Sequence, residues 1–274
     1  MDRIIEYMLE EDKGFGDITS EALVEKDLEV NAYIISKDEG ILAGMNIVKD
    51  LFEEFDVEVV YNLEDGSKIT KKDLLMSVKG NARTILLLER TVLNLSMRMS
   101  GVASAASYYS SLVKNHDVRI AGTRKTSPAL AKFDKYALKV GGVDTHRFSL
   151  DDMVLIKDNH IAVFKSPLDA LLKAKANVSF SKKIEIEVET LSDAIECVKN
   201  KADIVMLDNM SGNEVKEVID ELEKLNIRQN SLIEVSGGIT EDNIMDYVES
   251  GVDIISIGAL THSSRSLNFS LKIE

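Results

Sequence analysis

Residues 121–161 read AGTRKTSPALAKFDKYALKVGGVDTHRFSLDDMVLIKDNHI, and they contain the pattern that decides the fold. A short apolar strand ends at Thr123, a helix follows Pro128, and a second apolar strand covers 153–156. In a protein with a formal net charge of −14, cations gathered beside strand ends predict a pocket for a small, highly charged anion. The side chains that are or can be cationic here are Arg124, Lys125, His146, Arg147 and Lys157.

The same alternation of short apolar strands and helices continues along the chain from Val118. Repeated strand–helix units of this length predict a parallel sheet, either doubly wound or closed into a barrel. The predicted strands lie near 118–121, 153–156, 184–188, 204–207, 232–235 and 254–257. The predicted helices lie near 129–140, 167–176, 191–200, 212–225 and 240–249.

The residues that follow the six strands favour the barrel. A doubly wound sheet uses one or two strand ends at its switch point, whereas in a barrel all the strand–helix loops meet on one face. All six strands here are followed by reactive or anion-binding residues, so we predict an incomplete α/β barrel of about six to seven parallel strands. These residues are Thr123, Arg124 and Lys125, then Lys157, Asp158 and Asn159, then Glu187, then Asp208 and Asn209, then Ser236, Gly237 and Gly238, and finally Gly258.

The first hundred residues predict a separate α+β unit. A long helical run over 82–113, with Gly101 as its expected break, joins this unit to the barrel. The tail alternates apolar and polar residues like a strand, and we expect it to return to the N-terminal unit. The predicted domains are 1–113, the barrel 114–262 and the returning strand 263–274. Within the first domain, helices are predicted over 2–11 and 45–55, and strands near 30–34, 57–61 and 74–78.

Composition limits the partners and the location. With 33 basic and 47 acidic residues, the chain lacks the broad basic face that nucleic-acid binding needs. No apolar stretch approaches the roughly 18–20 residues of a membrane span, and the acidic N-terminus does not resemble a signal peptide. The single cysteine, Cys197, excludes an intrachain disulfide and is expected to be a buried helix residue. We therefore expect a cytoplasmic protein with small-molecule ligands.

The cations suit an anion with carboxylate and phosphate groups. Arg124 and Lys125 precede a helix start, which predicts an anion site, although a solvated basic corner fits them equally well. His146 and Arg147 predict binding of a carboxylate, because guanidinium supplies the bidentate geometry that a carboxylate prefers. Lys157 is the first residue past its strand and is expected to point into the mouth of the barrel.

The carboxylates at strand ends predict a metal or sugar contact. Glu185, Glu187 and Glu189 share one face of their strand, and Glu187 outranks Glu185 because only the end of the strand reaches the mouth. With a polyphosphate ligand, Glu187 and Asp208 indicate Mg²⁺ or contacts to sugar hydroxyls. The spacing of His, Asp and Glu does not predict zinc.

Glycines on the last two strands predict a phosphate site. Barrels often place a phosphate in the loops after their final strands, where glycine lets backbone N–H groups approach closely. The residues concerned are Ser236, Gly237, Gly238 and Gly258.

Ten motifs occur together along the chain: EDKGFGDITS (11–20), LLLERTVLNLSMRMSG (86–101), AGTRKTSP (121–128), KYALKVGG (135–142), THR (145–147), LIKDNH (155–160), IEVE (186–189), VMLDN (205–209), SGGIT (236–240) and ISIGALTHS (255–263). With these motifs the chain resembles, over nearly its whole length, the quinolinate phosphoribosyltransferase family. The resemblance implies an N-terminal α/β sandwich and an incomplete α/β barrel. It also implies a reaction in which quinolinate and phosphoribosyl pyrophosphate give nicotinate mononucleotide, pyrophosphate and CO₂, with Mg²⁺ required.

The resemblance also implies roles for the residues of this sequence. Arg90 would enter the active site of a neighbouring subunit, which implies a homodimer or a higher homo-oligomer. Lys157, Glu187 and Asp208 would be the catalytic groups, with the two carboxylates contacting the ribose or its metal. Quinolinate would be held by Arg90, Arg124, His146, Arg147 and Lys157. Phosphoribosyl pyrophosphate would be held by Lys125, Lys157, Glu187, Asp208, Ser236, Gly237, Gly238 and Gly258.

Three other interpretations stay open at this point. A related phosphoribosyltransferase of the same fold would act on a different substrate. A phosphate-sensing or scaffold barrel would not need Lys125, Glu187 and Asp208 together. A barrel lyase would form a Schiff base through Lys157. One departure from the family pattern is Thr145, where relatives often carry Asn or Ser, and it bears on substrate affinity.

Overall fold

The barrel strands form one parallel sheet of six strands in a computed structural model that describes residues 2–274. The helices are α1 (Arg3–Lys13), α2 (Ile18–Leu23), α3 (Met45–Glu54), α4 (Ala82–Leu112), α5 (Ala131–Val140), α6 (Asp158–Ile161), α7 (Pro167–Asn177), α8 (Leu191–Lys199), α9 (Gly212–Lys224), α10 (Ile244–Ser250) and α11 (Ala259–His262). The strands are β1 (Glu29–Ser36), β2 (Gly40–Ile41), β3 (Glu58–Asn62), β4 (Lys68–Ile69), β5 (Leu74–Asn81), β6 (Arg119–Ala121), β7 (Val154–Ile156), β8 (Ile184–Val188), β9 (Ile204–Asp208), β10 (Leu232–Ser236), β11 (Ile254–Ser256) and β12 (Phe269–Ile273).

Two units result from the contacts of the chain. The first comprises residues up to Ser107, Ser127–Gly142 and Ser263–Glu274, and the second comprises Tyr108–Thr126 and Val143–His262. The sequence prediction placed 127–142 with the barrel, whereas the contacts of this segment group it with the first unit. In the first unit the buried carboxylate of Asp134 forms an ion pair of 2.9 Å with Arg98, which ties α5 to α4.

The first unit is built on a four-stranded antiparallel sheet in the order β12-β1-β5-β3. Alternate residues of β1 are buried, because successive side chains of a strand point to opposite faces. Ala32 in β1 lies between Val78 of β5 and Ile273 of β12. The strand that follows the barrel therefore lies beside β1.

Helix α4 is continuous through Gly101, so the predicted break is wrong. A Cβ atom at Gly101 would lie 2.2 Å from the carbonyl oxygen of Arg265. The glycine therefore serves close packing of a second chain segment against the helix, and it does not end the helix.

The strand order of the second unit is that of a barrel left open between β6 and β7. Strands β7 to β11 are neighbours in chain order, and β6 pairs with β11, so the order is cyclic. Asp144 runs beside β6, where its N–H donates to Ile120 O and its carbonyl accepts from the Gly122 N–H, both at 2.9 Å. The predicted fold class is confirmed: an incomplete parallel barrel that follows an N-terminal α/β unit along the chain.

The strands of the barrel agree with the predicted ones to within a residue. Helix α10 begins at Ile244, four residues later than predicted. The residues before it form a turn in which the Thr240 N–H donates to Asn243 Oδ1 at 2.8 Å. Among the described residues, no helix is both long and apolar enough to cross a membrane.

Candidate active site

A cavity of about 440 Å³ opens where the barrel strands end, and residues of the second unit line it. Its wall also contains Asn209, which the sequence analysis placed after a strand end, and Glu234, for which it predicted no role. The predicted residues that the structure brings together here are Arg124, Lys125, His146, Arg147, Lys157, Glu187, Asp208, Ser236 and Gly237.

Three of the predicted residues do not line this cavity. Arg90 lies on α4 in the first unit, where 54 % of its side chain is exposed and its Nη2 lies 3.4 Å from Glu89 Oε1. Gly258 lies just behind the wall, because a Cβ there would be 3.3 Å from Lys125 Cδ. Gly238 has open space around its Cα and a φ of +61°, so it shapes the turn after β10.

The cavity contains cations that lack protein partners. The side chains of Arg124 and Lys125 are exposed and form no hydrogen bond or ion pair within residues 2–274. Arg147 is buried, and its Nη1 donates to the carbonyl oxygen of Met153 at 3.2 Å. Burial, together with the nearby charge of Arg124, lowers the pKa of Arg147. The site is therefore prepared for an anion that would relieve this repulsion.

Lys157 and Glu187 form an ion pair inside the cavity. The glutamate is almost buried, while 42 % of the lysine side chain stays exposed. The Lys157 N–H donates to His160 Nδ1 at 3.0 Å, which caps the short helix α6. His160 of the KDNH motif is thus explained by the helix that it caps.

The turn after β9 positions Asp208 and Asn209 beside Gly237. Asn209 has a φ of +55°, a conformation that asparagine tolerates, and its amide donates to Asp208 Oδ2 at 2.7 Å. A Cβ at Gly237 would lie 2.1 Å from Asn209 Oδ1. The sequence signal for Asn209 was an asparagine directly after a predicted strand end.

A cluster of His146, Glu185 and Glu234 lies at the wall of the cavity, and both of its glutamates are buried. His146 Nε2 lies 3.3 Å from Oε2 of Glu185 and 3.3 Å from Oε2 of Glu234. The contact with Glu234 has the geometry of a hydrogen bond. Ser256 Oγ donates to Glu234 Oε1 at 2.5 Å. Nδ1 of the ring accepts the Arg147 N–H at 2.9 Å. Glu234, which the sequence analysis missed, is a lone acid within the apolar strand β10.

The charges of this cluster are coupled. Burial opposes a charged imidazole, but Glu185 and Glu234 outweigh it and raise the pKa of His146 to about 10. Burial and the charge of Glu234 also raise the pKa of Glu185. The three groups therefore keep one proton more than a neutral ring and two carboxylates would. Because Nδ1 accepts the Arg147 N–H, this additional proton is shared between Nε2 and the two glutamates and does not lie at Nδ1.

The carboxylates that line the cavity suit a magnesium ion that is shared with a substrate. Glu187 and Asp208 offer oxygen ligands, and within residues 2–274 no third acidic group, histidine or cysteine completes a metal cluster with them. Mg²⁺ commonly binds through one or two carboxylates and takes its other ligands from phosphates and water. The donor set fits that pattern.

A cavity that gathers cations and two carboxylates at the carboxyl ends of parallel strands defines an α/β-barrel enzyme for a small anionic substrate. Residues 17–100 match the N-terminal domain of quinolinate phosphoribosyl transferase, and residues 102–272 match its C-terminal domain. The chain belongs to the quinolinate phosphoribosyltransferase family.

Relatives and solved structures agree with this assignment. A probable nicotinate-nucleotide pyrophosphorylase [carboxylating] of Methanocaldococcus jannaschii is 45 % identical and covers 99 % of this chain and 96 % of its own length. The nicotinate-nucleotide pyrophosphorylase [carboxylating] of Rattus norvegicus is 35 % identical, with coverages of 92 % and 84 %. The crystal structure of NadC from Streptococcus pyogenes has a TM-score of 0.91 at 35 % identity, covering 100 % of this chain and 97 % of that one. The nicotinate-nucleotide pyrophosphorylase of Ehrlichia chaffeensis has a TM-score of 0.93 at 34 % identity, with coverages of 99 % and 98 %.

Proposed function

We propose that this enzyme transfers the phosphoribosyl group of phosphoribosyl pyrophosphate to quinolinate and removes a carboxyl group, giving nicotinate mononucleotide, pyrophosphate and CO₂. One observation carries the proposal: a single cavity collects five cationic or potentially cationic side chains with Glu187, Asp208 and the Ser236–Gly237 turn. The carboxylating nicotinate-nucleotide pyrophosphorylases among the relatives support the same reaction.

We propose that the two arginines of the cavity bind the quinolinate carboxylates. Arg147 is buried and presents a guanidinium that Met153 orients, while Arg124 has no protein partner within residues 2–274. A buried guanidinium and a carboxylate make a strong charge-assisted pair, and this pairing would offset the desolvation of both.

Phosphoribosyl pyrophosphate would occupy the other groups of the cavity. Lys125 would bind phosphate through its free ammonium, and the backbone N–H groups around Gly237 would hold the 5′-phosphate, with Gly238 and Gly258 supporting the turn. Glu187 and Asp208 would contact the ribose hydroxyls or hold Mg²⁺. When bound, Mg²⁺ would neutralise negative charge on the pyrophosphate.

The reaction needs stabilisation of the negative charge on the leaving pyrophosphate and a proton for the ring carbon that loses CO₂. As the bond between ribose and pyrophosphate breaks, the leaving group gains negative charge that Lys125 and Lys157 would stabilise. When the carboxyl group leaves as CO₂, its bonding electron pair stays on the ring carbon beside the positively charged pyridinium nitrogen. A proton must then add to that carbon. We propose the ammonium of Lys157, which Glu187 holds within the cavity, as its source.

The direct test measures release of CO₂ and nicotinate mononucleotide from quinolinate, phosphoribosyl pyrophosphate and Mg²⁺. Nicotinate in place of quinolinate is the matched control, because it lacks the carboxyl group that leaves. We expect turnover with quinolinate and no turnover with nicotinate. Turnover of nicotinate without quinolinate activity would instead assign a related phosphoribosyltransferase with another substrate, and borohydride trapping at Lys157 would assign a lyase.

We also propose that Arg90 acts in the active site of a second copy of the chain, in a dimer or a larger symmetric assembly. Its side chain is half exposed and makes one long contact to Glu89, which leaves it available for a ligand. The test mixes unfolded Arg90→Ala and Lys157→Ala chains and refolds them together. If Arg90 serves the neighbouring site, about a quarter of all sites regain both residues and activity returns. Activity no higher than that of either variant alone would contradict the arrangement.

We propose a cytoplasmic location, which the single cysteine supports. Fractionation of cells that express the chain, with detection of the protein in the cytosolic fraction, tests it.

A further inference from the structure

The cluster of His146, Glu185 and Glu234 needs an explanation, because apolar side chains at these buried positions would make the fold more stable. Both glutamates are fully buried in the barrel, among strands that otherwise contribute isoleucine, valine and leucine. A buried carboxylate is costly unless it is hydrogen-bonded. Glu234 meets that condition through His146 and Ser256, whereas neither oxygen of Glu185 has a hydrogen-bond partner within residues 2–274.

The imidazole uses both of its nitrogens within the protein. Nδ1 accepts the backbone N–H of Arg147, and Nε2 donates to Glu234. In this arrangement no ring N–H is left to bind a substrate carboxylate. The backbone of His146 also has a φ of +54°, an uncommon conformation for a side chain of this size, which its hydrogen bonds stabilise.

Through these bonds the ring holds the next residue at its backbone. Arg147 is fixed at its N–H by His146 Nδ1 and at its guanidinium by Met153 O. Arg147 itself lines the cavity. Loss of the ring's orientation would release the backbone end of this support.

We infer that Glu234, held by Ser256, is a positioning residue that orients His146 and thereby sets the Arg147 guanidinium for a carboxylate of the substrate. The inference rests on the proposed function in naming quinolinate as that substrate. It gives His146 an indirect role, in place of the direct carboxylate contact that the family resemblance implied.

A metal ion is the competing occupant of these three groups, whose ligand atoms all lie within 4.8 Å of one another. A metal bound to Nε2 of a neutral imidazole requires the ring proton at Nδ1. Nδ1 already accepts the Arg147 N–H, so a proton there would face another donor. The hydrogen bonds therefore favour an Nε2–H bond to Glu234.

The experiment compares the wild type with Glu234→Gln, which keeps the size of the side chain and removes its charge. Glu249→Gln, at an exposed glutamate of α10, is the matched control. Loss of a charge-assisted bond predicts an increase of about tenfold or more in KM for quinolinate and a change of less than about twofold for phosphoribosyl pyrophosphate. A merely structural role would lower the melting temperature and raise both KM values alike.

A second readout does not depend on turnover. In ¹⁵N-histidine spectra, the Nε2–H signal of His146, assigned by its absence in His146→Asn, is expected downfield in the wild type and shifted upfield in Glu234→Gln. If quinolinate is not a substrate, the proposed function fails, while this signal still tests the role of Glu234. Ser256→Ala, which keeps the carboxylate but removes its second hydrogen bond, should shift the signal and KM in the same direction by less.

Two results would overturn the inference. One is an unchanged quinolinate KM and an unchanged His146 signal in folded Glu234→Gln. The other is a stoichiometric metal ion, found by elemental analysis of the wild type and lost in that variant.

Discussion

At the scale of single residues, Arg147 is the one buried residue among the five cationic or potentially cationic residues of the cavity. Its guanidinium is buried, and one nitrogen already donates to Met153. Arg147→Ala should weaken quinolinate binding by roughly 3 kcal/mol, more than a hundredfold, because it leaves a desolvated carboxylate without a partner. Isothermal titration of quinolinate measures the effect, and Arg265→Ala, at a side chain that is 89 % exposed, is the control. Wild-type affinity in Arg147→Ala would contradict the assignment of this pocket.

His146 predicts a pH dependence of stability. Its pKa is raised from 6.5 in the unfolded chain to about 10, so between these values the folded state holds a proton that the unfolded state has lost. The contribution to stability is therefore complete below about pH 6.5 and declines as pH rises toward 10, by at most about 1.4 kcal/mol per pH unit.

Urea unfolding of the wild type and His146→Asn at intervals from pH 6 to 10 checks this prediction. The difference in free energy of unfolding between the two proteins should shrink as pH rises. A difference that stays constant up to pH 10 would show that the cluster does not retain the proton.

At this scale the sequence located the cationic side chains of the cavity and missed the buried acid Glu234. Arg124, Lys125, Arg147 and Lys157 were found because each stands at or near a strand end, where side chains reach the cavity. Glu234 was missed because it lies within an apolar strand, and only the register of β9, β10 and β11 brings it to His146 and Ser256.

At the scale of elements, the effect of Gly101 on helix α4 was hard to predict from the sequence. A glycine in a long helix predicts a break from its local propensity alone, yet α4 passes straight through Gly101. What decides the outcome is the chain segment around Arg265, which is 164 residues away in sequence and leaves no space for a Cβ. Information of this kind is not local, so periodicity does not contain it.

The sign of one substitution tests this explanation. Gly101→Ala would stabilise an unobstructed helix by about 1 kcal/mol. Here the new Cβ would collide with the Arg265 carbonyl, and we expect a loss of roughly 1–3 kcal/mol. Thermal unfolding measures it, with Asn94→Ala on an exposed face of the same helix as the control. A higher melting temperature for Gly101→Ala would contradict the close packing.

At the scale of the whole molecule, the barrel was predictable because its strands are short, regular and each followed by polar residues. The boundary between the barrel and the first unit was less predictable from the sequence. Helix α5 has the period expected of a barrel helix, but the Arg98–Asp134 pair shows that its partners are in the first unit. Ion pairs between distant segments are invisible to a window of sequence.

Activity of the intact enzyme should depend on Mg²⁺. The carboxylates of Glu187 and Asp208 fit an ion shared with pyrophosphate, so removal of divalent ions by chelation should abolish product release, and added Mg²⁺ should restore it. Because the cavity does not form a closed protein cage for the ion, the melting temperature without substrate should stay within about 1 °C. Full activity after exhaustive chelation would exclude the metal from the reaction.

The position of β12 at the edge of the first sheet has a consequence for biosynthesis. Strand β1 can pair with β5 once both have left the ribosome, but its other edge can be covered only after Phe269–Ile273 have been translated. During that interval a long strand offers unpaired N–H and C=O groups to neighbouring nascent chains. Premature termination before Phe269 should therefore yield a polypeptide that accumulates in inclusion bodies even though every residue of the barrel is present.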